Sequence, residues 1–422
     1  MMPIRFLIDA LRELLHGSPA YWRWLGGLAL VFGIGLLSYV GQLRDGLVVT
    51  GMSDQVSWGF YISNFAFLVG IAAAAVLLVI PAYLFHRQDV KSVVLIGEGL
   101  AVAAVIGAMM FVLADLGSPE RAWHLIPFIG RMNWPVSLLA WDVVVLNGYL
   151  ALNLALPCYV HYCHYCGREP VLKAYFPVVV LAMFWAISIH TVTAFLFSAN
   201  TARPFWHTAL LGPRFIASAF VSGPALIIIL LQIIRRVTDY PVRQTVIDTL
   251  ALVMTVTLQI SLFFVGAELF TDFYNETSHA GSMRYLYLGL GGLSGLRTWI
   301  WTALVFNLVA VVLLSVHSTR RRTLTLNIAC VLAFVGIWIE KGMGLVVPGF
   351  IPTPLGEVFE YTPTLRELLV ALGIWAFAAL IFTLLAKASI GIELGRVRSS
   401  TAPSSPPRDG DTPSTAPAAQ HG

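Results

Sequence analysis

Tyr175-Phe-Pro-Val-Val-Val-Leu-Ala-Met-Phe-Trp-Ala-Ile-Ser-Ile-His-Thr-Val-Thr-Ala-Phe-Leu-Phe197 contains no Lys, Arg, Asp or Glu, and its one histidine is His190. A helix rises about 1.5 Å per residue, so a stretch of this length crosses a hydrocarbon core of roughly 30 Å. Comparable stretches recur at 24–43, 60–85, 93–114, 135–157, 215–234, 246–267, 297–316, 324–347 and 368–386. The chain of 422 residues is 58% hydrophobic and 11% charged, against roughly 25% charged in soluble domains. One water-soluble core cannot enclose that much apolar surface, so lipid must act as solvent. The fold class is therefore an all-α integral membrane protein of about ten transmembrane helices. The apolar, glycine-rich 285–295 stretch lets the eighth helix start earlier or follow a surface helix, and leaves nine or eleven spans open.

Of the 26 Lys and Arg, 17 fall in the N-terminus, the C-terminus and the loops that start at His86, Cys158, Arg235 and Ser318. The bias of basic residues toward the inside places both termini in the cytoplasm. Three segments follow: an amphipathic N-terminal segment at 1–21, a membrane domain at 22–390, and a Ser-, Thr- and Pro-rich tail at 391–422 that has nothing to bury and is expected to be disordered. The first span lacks a cleavage site and reads as a retained helix. The net charge of +4 calls for no nucleic acid; the implied partner is membrane lipid.

Cys158, Cys163 and Cys166 crowd the loop after the fourth span together with His161 and His164. Cys163-x-x-Cys166 has ligand-like spacing. A haem-c attachment needs His directly after the second Cys, where Gly167 stands, and no second pair completes a four-ligand site. Reduced, unliganded thiols are expected.

Ionisable groups cost about 2.5 to 3.5 kcal/mol each at the centre of a span, so those retained at depth are candidates for function. Counting along the helices places Asn64, Asp142, His190 and Glu340 each about 9 to 10 Å from one end of its span, all on the outer side. Trp58, Tyr61 and Trp141 lie near that level and offer flat apolar faces with a polar edge. A quinone ring suits such a site: two carbonyls and two protons call for an aromatic slot, a hydrogen-bonding His190 and a proton-relaying Asp142. The plainer account has Asn64, Asp142 and His190 bridging helices, and Trp58 and Tyr61 anchoring the interface. Glu98, near the inner end of the third span, either admits protons from the cytoplasm or pairs with Lys91. Lys341 adjoins Glu340 but points about 100° away around the helix, so each needs its own partner. Asp115, Glu268 and Arg297 at outer span ends read as structural, satisfied by water or head groups.

Membrane haem is generally held between two histidines on facing helices, and only His190 lies at depth. No dinucleotide or phosphate-binding fingerprint and no ferredoxin cysteine run is present. With no haem or iron–sulfur cluster expected in this chain, electrons must come from another subunit.

Gln55-Val-Ser-Trp-Gly-Phe-Tyr-Ile-Ser-Asn64, Leu138-Leu-Ala-Trp-Asp-Val-Val-Val-Leu-Asn147, Ile187-Ser-Ile-His-Thr-Val192 and Trp338-Ile-Glu-Lys-Gly342 resemble the NrfD/PsrC family of quinone-interacting membrane subunits, in its ten-helix branch. Ala202-Arg-Pro-Phe-Trp206, Gly349-Phe-Ile-Pro-Thr-Pro354 and Glu360-Tyr-Thr-Pro363 extend the likeness, which runs from about 51 to 387. The resemblance implies two four-helix bundles with flanking helices, and no prosthetic group in this subunit. It also implies a quinone site, menaquinone or ubiquinone, near the outer face of a bacterial cytoplasmic (inner) membrane, and carries roles onto His190 and Asp142. The partners it implies are a periplasmic iron–sulfur subunit, a multihaem or haem-c subunit, a haem-b membrane subunit and a cytoplasmic iron–sulfur subunit, in a respiratory complex of dissimilatory sulfur metabolism. Two other classes remain: a proton-coupled secondary transporter, favoured by Pro224 and the 289–295 glycine run, and a redox-inactive anchor for partner subunits.

Overall fold

Once a chain lies in hydrocarbon, every backbone polar group must be satisfied internally, and helices do this segment by segment. The computed structural model describes residues 2–73, 75–85, 87–126, 129–275 and 280–400. Within these residues, ten helical spans are long and apolar enough to cross a membrane. The tail at 401–422, which carries most of the segment expected to be disordered, lies outside the described residues, as does His86.

Helix α1 (Met2–Leu15) buries Phe6 against Tyr162 and Tyr165 and leaves Ile4, Leu7, Ile8 and Leu11 exposed. The first span, α2 (Pro19–Asp45), starts where Ser18 accepts the backbone N–H of Tyr21 and Pro19 occupies the first turn. The second span comprises α3 (Phe60–Ala73), α4 (Val76–Val79) and a wide turn at Ile80–Leu84 around Pro81. There follow α5 (Gln88–Asp115), α6 (Leu138–Tyr165), α7 (Leu172–Ser198), α8 (Leu211–Val237) and α9 (Gln244–Asn275). A short α10 (Ala280–Tyr287) precedes α11 (Arg297–Ser315), and α12 (His317–Arg321) precedes α13 (Thr323–Lys341). The ninth span breaks at Gly342 and resumes as α14 (Met343–Val346) and a tight turn at Val347–Phe350. Helix α15 (Leu365–Glu393) is the tenth.

Packing sorts these spans into two four-helix bundles and a flanking pair. The first bundle holds the second span with α5, α6 and α7, and the second holds α8, α9, α11 and α13. Helices α2 and α15 pair with each other and lean on α5. The bundles meet where α3 contacts α8 and α13 and α7 contacts α8. Small residues set the closest approaches, as expected where lipid provides no hydrophobic force between helices. A Cβ on Gly35 would lie 2.5 Å from the Cα of Gly373, so α2 and α15 touch backbone to backbone. Gly148 of α6 likewise admits the Trp185 ring of α7, whose indole N–H reaches Val145 O at 2.8 Å.

Several sequence-based boundaries shift. Cys158, His161, Cys163 and His164 are not in a loop: α6 continues through them, with Cys166 capping its end, because Tyr165 and Tyr162 pack on Phe6 of α1. Pro224 sits inside an unbroken α8, and Gly289, Gly291 and Gly292 form a positive-φ turn between α10 and α11, so neither interrupts a span. The tenth span, expected at 368–386 within a membrane domain ending at 390, runs from Leu365 to Glu393, and Val397 beyond it is buried.

At the end of the molecule away from α1, the buried Glu367 carboxylate ties three segments together. It accepts the backbone N–H groups of Gly51 at 2.7 Å and Thr364 at 2.8 Å and the hydroxyl of Tyr361. The Tyr361 oxygen in turn accepts Phe60 N–H at 2.8 Å, which caps α3. Burial first, and the Glu367 charge second, raise the Tyr361 phenol above its ordinary range, so it stays a donor. A Gly35→Leu substitution would push α2 off α15. A loss of about 1 to 3 kcal/mol is expected, read as a lower unfolding temperature in detergent, whereas Gly33→Leu, with open space at its Cβ, should leave it unchanged.

Candidate functional site

His190 lies on α7, 1% exposed, facing the seam between the bundles. Its Nδ1 is 3.2 Å from the Ala186 carbonyl one turn back. A carbonyl only accepts, so Nδ1 carries the hydrogen and Nε2 presents a lone pair. That Nε2 is buried and has no hydrogen-bond partner among the described residues. Thr193, one turn further along α7, donates its hydroxyl at 2.8 Å to Oδ1 of Asp142 on α6, which is itself 1% exposed. The bond holds the carboxylate against α7 one turn from the imidazole.

Lys341 reaches the same seam from α13. Its ammonium donates to Phe215 O at 3.4 Å, lies 4.2 Å from the centroid of the Phe215 ring and acts electrostatically on His190. A Cβ at Gly70 would lie 3.0 Å from Lys341 Nζ, so the glycine of α3 makes the room. The helix ends at this lysine: Gly342 adopts φ −86, ψ −107 and approaches Ser63 of α3.

Glu340 points elsewhere, as the 100° step around the helix requires. Its Oε1 receives Arg214 of α8 at 3.0 Å and its Oε2 receives Asn307 of α11 at 3.1 Å. Arg214 also binds Glu268 of α9, so each helix of the second bundle supplies one member of a buried polar chain. A Cβ at Gly336 would lie 2.3 Å from Asn307 Oδ1, so the glycine is what admits the amide. Beside the chain is a cavity of about 330 Å³ lined by His207, Arg214, Glu268, Asp272 and Met283, among others.

Several residues expected at one level do not converge. Asn64 is saturated: its oxygen accepts the indole N–H groups of Trp338 at 3.1 Å and Trp375 at 2.9 Å, and its amide donates to Phe60 O. Tyr61 turns toward α2, donating to Gln42 at 2.6 Å. Trp141 is 36% exposed and bonds Pro135 O beside Trp134. Trp58 stacks on Trp206 with centroids 5.6 Å apart and meets Phe197, two turns along α7 from His190. That aromatic cluster joins two distant motifs. The Trp206 ring packs where Gly349 has no side chain, and Arg203 lies over Phe350. Glu98 makes no ion pair with Lys91 among the described residues and is 2% exposed.

Arg214, Asn307 and Thr193 escaped the sequence reading, and Glu268, read as structural and satisfied by water or head groups, pairs with Arg214. Arg214 and Glu268 each stand one residue outside the spans drawn at 215–234 and 246–267, whereas α8 and α9 extend past them. Neither is left to water or head groups. The missed signal was the opposite charge of two residues flanking consecutive spans.

Residues 48–351 match the family described as Polysulphide reductase, NrfD. The chain belongs to the NrfD family. The matched stretch covers both bundles and leaves α1, α2 and α15 outside. The chain is 28% identical over 398 residues to a putative dimethyl sulfoxide reductase membrane subunit from Halobacterium salinarum, covering 85% of this chain and 88% of that one. It is 24% identical over 380 residues to the Hdr-like menaquinol oxidoreductase integral membrane subunit of Archaeoglobus fulgidus (86% and 92% covered). Against the menaquinone reductase integral membrane subunit of Nitratidesulfovibrio vulgaris it is 23% identical over 388 residues (86% and 90%).

Removing one partner from a buried ion pair costs more than the pair contributes. Arg214→Ala in this NrfD-family bundle leaves Glu268 and Glu340 uncompensated and should destabilise it by about 3 to 5 kcal/mol. Thermal unfolding in detergent checks this, with Arg44→Ala on the surface as the comparison.

Proposed function

We propose that this chain is the quinone-reacting membrane subunit of a multi-subunit oxidoreductase, with its site at His190 and Asp142. The observation that carries the reading is the buried Nε2 of His190, without a hydrogen-bond partner among the described residues, with the Asp142 carboxylate held by Thr193 one turn along the same helix. A lone pair there accepts the hydroxyl hydrogen of a quinol. Quinol oxidation then gives one proton to His190 Nε2 and the second toward Asp142, while two electrons leave to a redox centre in a partner subunit. Quinone reduction is the same step reversed, with His190 donating to a carbonyl. Lys341, when protonated, presents an ammonium at the seam that stabilises negative charge developing on the quinone oxygen. Trp58, Tyr61, Asn64, Trp141 and Glu340 are proposed to shape or support the site from around it, and Glu98, Glu340 and Lys341 to serve proton transfer.

Two relatives are named for menaquinol or menaquinone, which favours menaquinone over ubiquinone as substrate. The motif likeness supports a finer assignment to DsrP, the membrane subunit of the DsrMKJOP complex of dissimilatory sulfur metabolism. On that assignment both termini face the cytoplasm of a bacterial inner membrane. The site then lies near the periplasmic face beside an iron–sulfur subunit, with haem-c, haem-b and cytoplasmic iron–sulfur subunits in the assembly.

The break of the ninth span at Gly342 favours one competing reading, a proton-coupled transporter, because broken helices build transporter sites. Uptake of substrate by the isolated subunit would support it. For the quinone reading, His190→Ala should lower quinone-linked turnover by about 100-fold or more with the complex still assembled on a sizing column. Asp142→Asn should lose quinone that co-purifies with the wild type. Full turnover in His190→Ala would leave only an anchoring role.

A further inference from the structure

Helix α1 turns its faces the opposite way from an amphipathic helix on a soluble protein. Its carboxylates look inward: Asp9 accepts the hydroxyl of Tyr165 at 2.7 Å, and the stem of Glu13 packs where Gly391 of α15 has no side chain. Phe6 lies on the same side, closed in by Tyr162, Tyr165, Ile392 and Val397. Ile4, Leu7, Ile8, Leu11 and Leu15 follow one another at helical spacing and form a stripe roughly opposite, each between 43% and 67% exposed. Arg5 and Arg12, seven residues apart and both exposed, run along one edge of the stripe. Arg12 approaches Asp9 at 3.4 Å, an exposed pair that holds it weakly.

The level of this helix is set by its neighbours. The Leu14 carbonyl accepts the hydroxyl of Tyr21 at 3.1 Å. The His16 carbonyl accepts the ammonium of Lys387, which lies 4.0 Å from the centroid of the Tyr21 ring. Tyr21, followed by the exposed Trp22 and Trp24, opens the first span. Tyr and Trp at the start of a span mark the boundary between acyl chains and head groups. Helix α1 is therefore tied to the membrane at that boundary, where an outward apolar stripe meets acyl chains instead of water. Charge at this end agrees: the spans that end on the α1 side lead into Arg235-Arg236 and Arg320-Arg321-Arg322, and basic side chains near a membrane surface attract anionic lipid.

We propose that α1 is a membrane-surface helix seated in the head-group layer of the leaflet on its own side, with Ile4, Leu7, Ile8, Leu11 and Leu15 among the acyl chains and Arg5 and Arg12 on the phosphates of anionic phospholipid. An anionic phospholipid matches both halves of the exposed face: the apolar stripe takes its chains and the arginine edge takes its head group. Through Phe6, Asp9 and Glu13 the seated helix holds the ends of α6 and α15 at the membrane surface. The inference goes beyond the quinone reading and does not depend on it.

The test uses the purified complex containing this chain, reconstituted in vesicles of phosphatidylcholine and phosphatidylglycerol. One of the two lipids at a time carries a photoreactive group in its acyl chain near the head group, and the labelled residues are read by mass spectrometry. Leu30 and Leu37 of α2, 66% and 74% exposed, serve as the lipid-facing reference in the same sample. In the wild type the stripe of α1 should be labelled, about twofold or more from phosphatidylglycerol relative to phosphatidylcholine. Arg5→Gln with Arg12→Gln should bring the two lipids level. Leu7→Glu with Leu11→Glu should cut α1 labelling by about tenfold while α2 stays labelled, which separates loss of seating from loss of fold. No labelling of α1 in a wild-type sample whose α2 is labelled, the result expected if water or another subunit covers the stripe, overturns the inference. Equal labelling of wild-type α1 by the two lipids, or unchanged labelling in the double glutamate variant, overturns it as well.

Discussion

A guanidinium at depth, shared between two carboxylates from two other helices, is the interaction on which this architecture depends. Arg214 of α8 binds Glu268 of α9 and Glu340 of α13, and Asn307 of α11 completes the chain. An isolated charge in hydrocarbon is expensive, so these helices can coexist at this depth only in the packing that brings the groups together. The second bundle is therefore specified by polar pairing as much as by apolar contact. Its geometry fixes the rotation of α13, and that rotation sends the neighbouring Lys341 into the seam.

The seam is where the two bundles contribute different chemistry. The first supplies an imidazole with a free lone pair and a carboxylate held by Thr193. The second supplies an ammonium at a helix end, freed by the break at Gly342 and accommodated by Gly70. On the proposed quinone reading, a charge held in a packed site acts without reorganising. Asn64 belongs to this design as a bracket: by holding Trp338 and Trp375 it pins α13 and α15 to α3.

Much of this was legible beforehand. Ten spans, the depth of His190 and Asp142, and the divergence of Glu340 from Lys341 all follow from counting along helices. What counting could not resolve was direction around each helix relative to its neighbours. Tyr61 and Asn64 are one turn apart on α3, yet one bonds α2 and the other bonds α13 and α15. Trp141 and Asp142 are adjacent, yet one is exposed and the other buried. Arg214, and with it the partner of Glu268, was missed because span ends were drawn where apolar residues stop, whereas paired charges let the helices continue.

The sequence by itself determined that the chain lives in lipid, that it crosses about ten times, and which few polar groups lie far from water. These depend on hydropathy and length, which are properties of each segment alone. Only the tertiary structure decided which of those groups share a site, which saturate one another, and where a span breaks. Lipid tails and neighbouring helices are equally apolar, so hydropathy does not mark which face of a helix meets which. The pairing of polar atoms across helices marks it, and that exists only once the helices are packed.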